Sequence, residues 1–369
     1  MANVLKTIKI KFEGFWPDFV KEDYEFYRTL ARHYDVQVTE DADYVFFSIF
    51  SDRPFKFCNY PGIRILVIGE NYLPDFNLVD YAISPYPLQL QDRSFYFPFC
   101  IDKLGHCEAL ATKNRDYSAD ILKEKVFFAN MIASHDSEFN ERSRMFHLLS
   151  EYKRVESPGS FLHNADTSEK ITWLNSSKTD FQRKCKFTLC LESTKHEGFV
   201  TEKITDAFFA DTIPIYYGSS SVKEIFNEKA FIDLSDYPSF EDAVNRIIEI
   251  DNDDDLYLAM LRQPIFVDND FVKKTYAAQE QFLLNIFDQP LEKAKRRSGI
   301  YTPKEAEDFL TWASFQFPVY IREQEKARKK NEHIRRIKKT KTGRRLFRIK
   351  KIGIVGLLKK IKNSVQRKG

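Results

Sequence analysis

The chain has 369 residues, with 34 Phe and 18 Tyr against 12 Gly; that length favours two domains of ordinary size, and that aromatic load excludes a disordered or fibrous protein. Its net charge of +3 conceals a division, because residues 322–369 hold 20 Lys/Arg against 3 Asp/Glu and leave 37 against 51 before them. The body is therefore acidic, at about −14, and the tail basic, at about +17, which argues against specific nucleic-acid binding by the body.

Cys58, Cys100, Cys107, Cys185 and Cys190 are odd in number and lack the paired spacing of a zinc site or disulfide scaffold, so a reducing compartment is expected. MANVLKTIKIKFEGFW alternates like a strand and has no apolar signal core, and no run of ~18 apolar residues occurs. These features together lead to the expectation of a cytoplasmic protein.

In chain order, TIKIKF (7–12) reads as a strand and DFVKEDYEFYRTLARHY, from Asp18, as a helix with apolar positions three and four apart. VQVT, DYVFFSIF, IRILVIG and DYAIS follow as short β-rich runs. A polar stretch from Cys107 to about Leu122 reads as a linker. A second alternating set runs through KVFFANMI, the helix SRMFHLLSEY, the strand KFTLCLE, the helix TEKITDAFFA, the strand TIPIYYG, AFIDLS and the helix SFEDAVNRIIEI. Alternation of this kind predicts parallel sheets covered by helices, and two such domains facing a cleft suit a sugar-nucleotide transferase. The acidic run DNDDD (251–255) lies between two helical patterns, where Asp is an ordinary N-cap rather than a metal ligand.

CLESTKHEGFVTEKITDAFFADTIPIYYG (190–218) places Glu192, Glu197, Glu202 and Lys203 on one strand-to-helix turn. Ligands of open parallel sheets bind beyond the carboxyl ends of the strands, where helix N-termini present N–H groups and a positive dipole. Thr201 is placed to cap the helix, Lys203 to meet a diphosphate, and Glu202 to receive both hydroxyls of a ribose. Spacing alone fits an ordinary surface helix start equally well.

FTLCLESTKHEGFVTEKITDAFFADTIPIYYGSSSV (187–222) resembles the donor-binding signature of the α1,3/4-fucosyltransferases, glycosyltransferase family 10, and IGENYLPDFNLVDYAIS (68–84) resembles that family's acceptor-side segment. The resemblance is that of a bacterial-type member. It implies an α/β, GT-B-like fold of two Rossmann-like domains facing a cleft, with a basic amphipathic C-terminal tail. The expected limits are 1–115 for an acceptor-binding domain, 116–290 for a GDP-sugar domain, 291–325 for a helical segment and 326–369 for the tail. It implies an inverting transfer of fucose from GDP-fucose to a hydroxyl of GlcNAc or a similar sugar in a surface glycan, without a metal or other cofactor. Carried over by position, Glu70 is the general base and Arg142 a phosphate ligand; Glu192, Ser193, Phe199, Thr201, Glu202 and Lys203 form the donor site. Ser193, Phe199 and His135 depart from the family's Asn, Tyr and Asn. Transfer of a different GDP-sugar, or a noncatalytic membrane-associated glycan-binding protein, stays open at this point.

In GRRLFRIKKIGIVGLLKKIKNSV, Ile354, Leu358, Ile361 and Val365 form one helical stripe, with Lys359, Lys360 and Lys362 beside or opposite it. Such a segment buries its apolar face in a membrane interface while its lysines face anionic lipid. A peripheral position on the inner face of the membrane, with an oligosaccharide or glycolipid acceptor, is the corresponding expectation.

Overall fold

The computed structural model describes residues 5–50, 56–167, 171 and 176–297, with Arg322, Glu323, Lys326 and Lys329 beyond them. Apart from those four and residues 291–297, the expected helical segment and amphipathic tail lie outside the described residues. Contacts divide the chain into two units, Met1–Phe50 with Tyr60–Thr302 and Ser51–Asn59 with Pro303–Gly369. The described part of the second unit has a short turn of 3₁₀ helix at Lys56–Asn59. Both sheets and all the site residues belong to the first.

The first sheet contains β1 (Thr7–Glu13), β2 (Asp35–Val38), β3 (Tyr44–Phe47), β4 (Ile63–Val67), β5 (Tyr81–Ser84) and β6 (Ser94–Tyr96), in the order β2-β1-β3-β4-β5-β6. All its pairings are parallel. Every residue of β3, β4 and β5 is buried, as a parallel sheet covered on both faces requires, which is why these runs read as continuously apolar rather than alternating. Helix α1 (Glu25–His33) starts later than its periodicity predicts. Residues before it form a 3₁₀ turn, Lys21–Asp23, and an extended Tyr24, because Phe15 and Phe19 stack at 4.1 Å and Tyr24 packs on Phe19 at 5.0 Å instead of continuing the helix.

The expected linker begins differently: α2 (Leu104–Ala111) is a helix, with Cys107 and Leu110 buried. Free cysteine behaves here as a small apolar side chain, so the stretch is less polar than its letters suggest.

The second sheet is built from β7 (Phe127–Asn130), β8 (Val155–Glu156), β9 (Cys185–Leu191), β10 (Ile213–Tyr217) and β11 (Ile232–Asp233), in the order β11-β10-β9-β7-β8 and again parallel. Its helices are α3 (Glu141–Tyr152), α4 (Ser177–Arg183), α5 (Glu202–Phe209), α6 (Val222–Ile225), α7 (Phe240–Asn252) and α8 (Asp254–Leu261). Asp253 caps α8 by accepting from Leu256 N–H, and Asp251 is paired with Lys153 and Lys186, so the acidic run is structural.

The 17-residue α9 (Phe271–Phe287) leaves the second sheet and packs on the first. Phe287 meets Tyr44 at 4.2 Å, and Tyr34 donates to Asp288 at 2.7 Å. A short α10 (Leu291–Ala294) follows. This return crossing ties the two halves together and brings α9 alongside the ends of β4 and β5.

Candidate functional site

The loop from β9 to α5 explains its three carboxylates, each with a different task. Glu192 is buried at the strand end, where it accepts from Thr201 N–H at 2.8 Å, from the Thr201 hydroxyl at 2.8 Å and from Lys203 Nζ at 3.0 Å. Glu197 accepts from the hydroxyls of Ser220 and Ser221 and fastens the loop to the end of β10. Glu202, the first residue of α5, is 40% exposed and faces the cleft. Burial works against its charge, yet Lys203 and Lys178 outweigh burial and hold its carboxyl down at about 2.

Thr201 sits at the N-cap of α5, but its side chain does not cap the helix. Its hydroxyl is engaged by Glu192 and by Lys203 Nζ at 2.8 Å instead. A buried carboxylate is the stronger acceptor and takes the hydroxyl away from the backbone. Lys203 Nζ is itself 3.9 Å from Glu202. Burial opposes its charge, while Glu192 and Glu202 more than compensate and raise its pKa above the usual lysine value.

Arg142, in the first turn of α3, is 3% exposed. Its Nε and Nη2 donate to Leu191 O at 3.0 and 2.9 Å, and Nη1 donates to His135 O at 2.9 Å. Three of its five N–H groups therefore brace the end of β9 against the Ser134-His135 turn, leaving two for a ligand. Burial lowers its pKa, opposed by Glu192 and Asp136. Ser193 is engaged through its carbonyl, which accepts from Glu138 N–H at 2.9 Å. Phe199 is buried at 2% exposure and lines neither cavity described below. Its ring packs in the core.

Glu70 stands in the loop after β4, exposed, beyond the carboxyl end of the first sheet. Gly69 before it allows the close approach of Phe99, whose ring would lie 2.7 Å from an added Cβ. Two cavities meet here. One, of about 380 Å³, is walled by aromatic residues from the loops after β1 and β3, by Phe97 and Phe99, and by Tyr276 and Gln279 of α9. The other, of about 890 Å³, lies over the ends of β7 and β8 and is lined by Ser134, Gly159, His163, Lys103 and Lys178 among others. Glu70, Asp102 and Glu202 line both.

Asp102, Lys103 and Lys178 were not singled out by sequence. Asp102 follows the short 3₁₀ turn Phe99–Ile101 that is locked to α5: Cys100 N–H donates to Val200 O at 3.0 Å, and the Thr205 hydroxyl donates to Cys100 O at 2.8 Å. Burial pushes the Asp102 carboxyl up to about 7 despite nearby Lys103, with Glu202 and Asp206 adding to the effect. Lys178 lies 2.6 Å and Lys103 3.5 Å from Asp206 of α5. No motif marks these residues, because tertiary contacts alone bring them to the cleft. Among the described residues no group of three His, Cys, Asp or Glu is arranged to hold a metal ion.

A family model described as glycosyltransferase family 10 (fucosyltransferase) C-term matches residues 122–279, and one for the N-terminal domain of α-(1,3)-fucosyltransferase FucT matches residues 10–101. The α-(1,3)-fucosyltransferase FucT of Helicobacter pylori is 30% identical over 295 residues, covering 69% of this chain and 59% of the relative. The human 4-galactosyl-N-acetylglucosaminide 3-α-L-fucosyltransferase 9 is 32% identical over 77 residues, 20% of this chain and 21% of that enzyme. The chain thus spans about three-fifths of the length of the Helicobacter pylori relative. A crystal structure of an α1,3-fucosyltransferase superposes with a TM-score of 0.63 at 28% identity, covering 77% of this chain and 92% of the other. The same comparison with a GDP-fucose complex gives 0.61, covering 79% and 94%. The two parallel sheets with their helices are therefore the GT-B-like arrangement anticipated from sequence.

Proposed function

We propose that this chain, which belongs to glycosyltransferase family 10, transfers fucose from GDP-fucose to a hydroxyl of GlcNAc or a similar sugar in a surface glycan, with inversion. The observation that carries this reading is the meeting of a lysine-bearing cavity and an aromatic one at Glu70 and Glu202. The names of the relatives support the donor, and the GDP-fucose complex is of a protein with the same fold.

In this reading the nucleotide occupies the larger cavity. Glu202, ionised at every physiological pH, accepts from the ribose hydroxyls. Lys103 and Lys178 of the cavity's lining, the N-terminus of α5 and, set behind them, Lys203 and the two remaining N–H groups of Arg142 serve the diphosphate. Glu70 takes the proton from the acceptor hydroxyl as that oxygen bonds to the anomeric carbon. The bond from that carbon to the diphosphate oxygen breaks, and GDP leaves on the opposite side. Fixed cations and a helix N-terminus can stabilise the departing charge without a divalent ion. Glu192, which the resemblance places among the donor ligands, acts in this scheme by holding Lys203 and Thr201. We further assign the basic tail to an anionic membrane surface, with the catalytic body on the cytoplasmic side.

Calorimetry with GDP-fucose, GDP-mannose, GDP and UDP-sugars tests the donor. Selective binding of GDP-fucose is expected. A preference for GDP-mannose, which Ser193 in place of the family's Asn makes worth measuring, would replace the sugar and keep the site; binding of none would overturn the transferase reading.

A further inference from the structure

The cations around the donor cleft are already committed to carboxylates. Lys203 Nζ serves Glu192 at 3.0 Å, and Lys178 and Lys103 both face Asp206, at 2.6 and 3.5 Å. Lys203 and Lys178 also hold Glu202 ionised. The larger cavity nonetheless carries the carboxyl groups of Glu70, Asp102, Asp166, Glu202 and Asp206 against Lys103, Lys178 and His163 among its described lining residues. A diphosphate brought into such a lining meets like charge unless one of these carboxyls is neutral.

Asp102 is the carboxyl that this arrangement leaves over. Asp166 is exposed and lies 3.5 Å from His163, and Glu70 is exposed to water. Asp102 is half-buried, lines both cavities, and belongs to no ion pair among the described residues. Around it stand Lys103 of its own turn, Glu202 and Asp206 of α5 and, on the cavity walls, Glu25 and Glu70. The phenols of Tyr24 and Tyr276 and the thiols of Cys100 and Cys107 also lie near it, but burial raises all four, so they stay protonated at neutral pH. Burial pushes the Asp102 carboxyl up to about 7 against the pull of Lys103, with Glu202 and Asp206 adding to the rise. One further negative charge beside it is enough to keep it protonated.

Building on the donor assignment above, we propose that Asp102 binds the donor as a neutral acid, taking up a proton from solvent as GDP-fucose enters and donating a hydrogen bond through it to a diphosphate oxygen. A protonated carboxyl is a donor, and O–H to an anionic oxygen is among the stronger hydrogen bonds. Its place where the two cavities meet sets it beside the end of the diphosphate that carries the transferred sugar. Asp102 is thus a binding residue whose action depends on its charge: as a carboxylate it repels the donor, and as an acid it holds it.

Calorimetric titration of the full chain with GDP-fucose, in pairs of buffers that differ in ionisation enthalpy, counts the protons taken up. GDP-fucose serves because its diphosphate is doubly esterified and does not itself titrate near neutrality. About one proton per donor is expected at pH 8 and about a tenth of one at pH 6, with affinity about tenfold weaker at pH 8. Asp102→Asn puts an amide N–H in place of the acid. It should bind about as tightly as wild type does at pH 6, take up no proton and lose the pH dependence. Asp102→Leu, with no donor, should bind about tenfold more weakly at pH 6. His163→Gln removes the imidazole of the lining and should leave the proton uptake as it is. Binding by wild type without proton uptake at pH 8 would overturn the proposal, as would uptake that survives Asp102→Asn or disappears in His163→Gln. If wild type binds no GDP-sugar at either pH, the transferase reading falls and this inference with it.

Discussion

Lys203 Nζ lies 3.0 Å from Glu192 Oε2, and the Glu192 side chain is fully buried. The lysine assigned to the diphosphate is therefore also the counter-charge of a carboxylate inside the second sheet. Removing one member of such a pair leaves the other uncompensated, at a cost of about 3–5 kcal/mol. Lys203→Ala should accordingly lower thermal stability as well as GDP-fucose affinity. The double variant Lys203→Met with Glu192→Gln should regain most of the stability but none of the affinity. Differential scanning calorimetry and titration of both proteins separate the two roles; recovery of donor binding in the double variant would show that Lys203 acts only as a prop.

Glu70 has a simpler environment, exposed beyond β4 and shared by both cavities. Glu70→Gln keeps shape and polarity while removing the base. A fall in kcat of about 10²–10⁴ is expected, with GDP-fucose affinity within about twofold of wild type because the donor contacts come from α5 and α3. Steady-state transfer assays check this, and an unchanged kcat would remove Glu70 from the mechanism.

The Asp102 carboxyl, pushed up to about 7, makes a pH prediction of definite sign. Its folded pKa lies above its unfolded value, so the protein takes up a proton there on folding. That contribution to stability is fully present below the unfolded pKa near 3.8 and is lost as pH rises through about 7. Asp102→Asn should therefore be more stable than wild type at pH 8 by about 1–3 kcal/mol, discounted for water at the cavity mouth. At pH 4 the advantage should vanish. Urea unfolding at the two pH values measures it, and an equal difference at both would mean that Asp102 does not titrate in this range.

How far the site was legible depended on how local its contacts are. The β9-to-α5 turn could be read because strand, loop and helix are contiguous, and the positions of Glu202 and Lys203 follow from that order. The task of Glu192 could not, since its letters do not say that it points back under Thr201 and Lys203. Phe199 illustrates the same limit: its place in the motif does not say that its ring is buried. Asp102 and Lys178 reach the cleft through the clasp of the turn at Phe99–Ile101 onto α5 and through α4, contacts between parts of the chain far apart in sequence. Helix α9 has ordinary amphipathic residues, yet nothing local announces that it crosses to the first sheet. Both sheets were visible in outline because fully buried parallel strands make short continuous apolar runs between helices.

The tail lends itself to a vesicle experiment. Deleting residues after Lys326 should leave transfer to a soluble acceptor within about twofold, while sedimentation with anionic vesicles should fall and become insensitive to salt. Undiminished pelleting of the shortened protein would place membrane binding elsewhere.

Gly198 links the backbone of the donor loop to the first half of the molecule. Its φ of +79° is a left-handed conformation, and an added Cβ would lie 2.4 Å from Pro85 O and 2.7 Å from Pro87 Cδ. Its carbonyl accepts from the Tyr96 hydroxyl at 3.2 Å, and its N–H donates to the Ser219 hydroxyl at 2.9 Å. Gly198→Ala must both strain the loop and push the ends of β5 and β9 apart, because neither the backbone of Pro85 nor its ring neighbours can swing away. A loss of at least about 2 kcal/mol is expected, with GDP affinity falling too as α5 shifts against the turn at Phe99–Ile101. Gly105→Ala is the matched control: it sits in α2 with nothing within 4 Å of an added Cβ. Helix propensity alone should make that protein more stable by about 0.5–1 kcal/mol. Thermal unfolding of the pair, with GDP titration of each, decides whether the close approach at Gly198 governs the donor site; equal behaviour of the two variants would show that it does not.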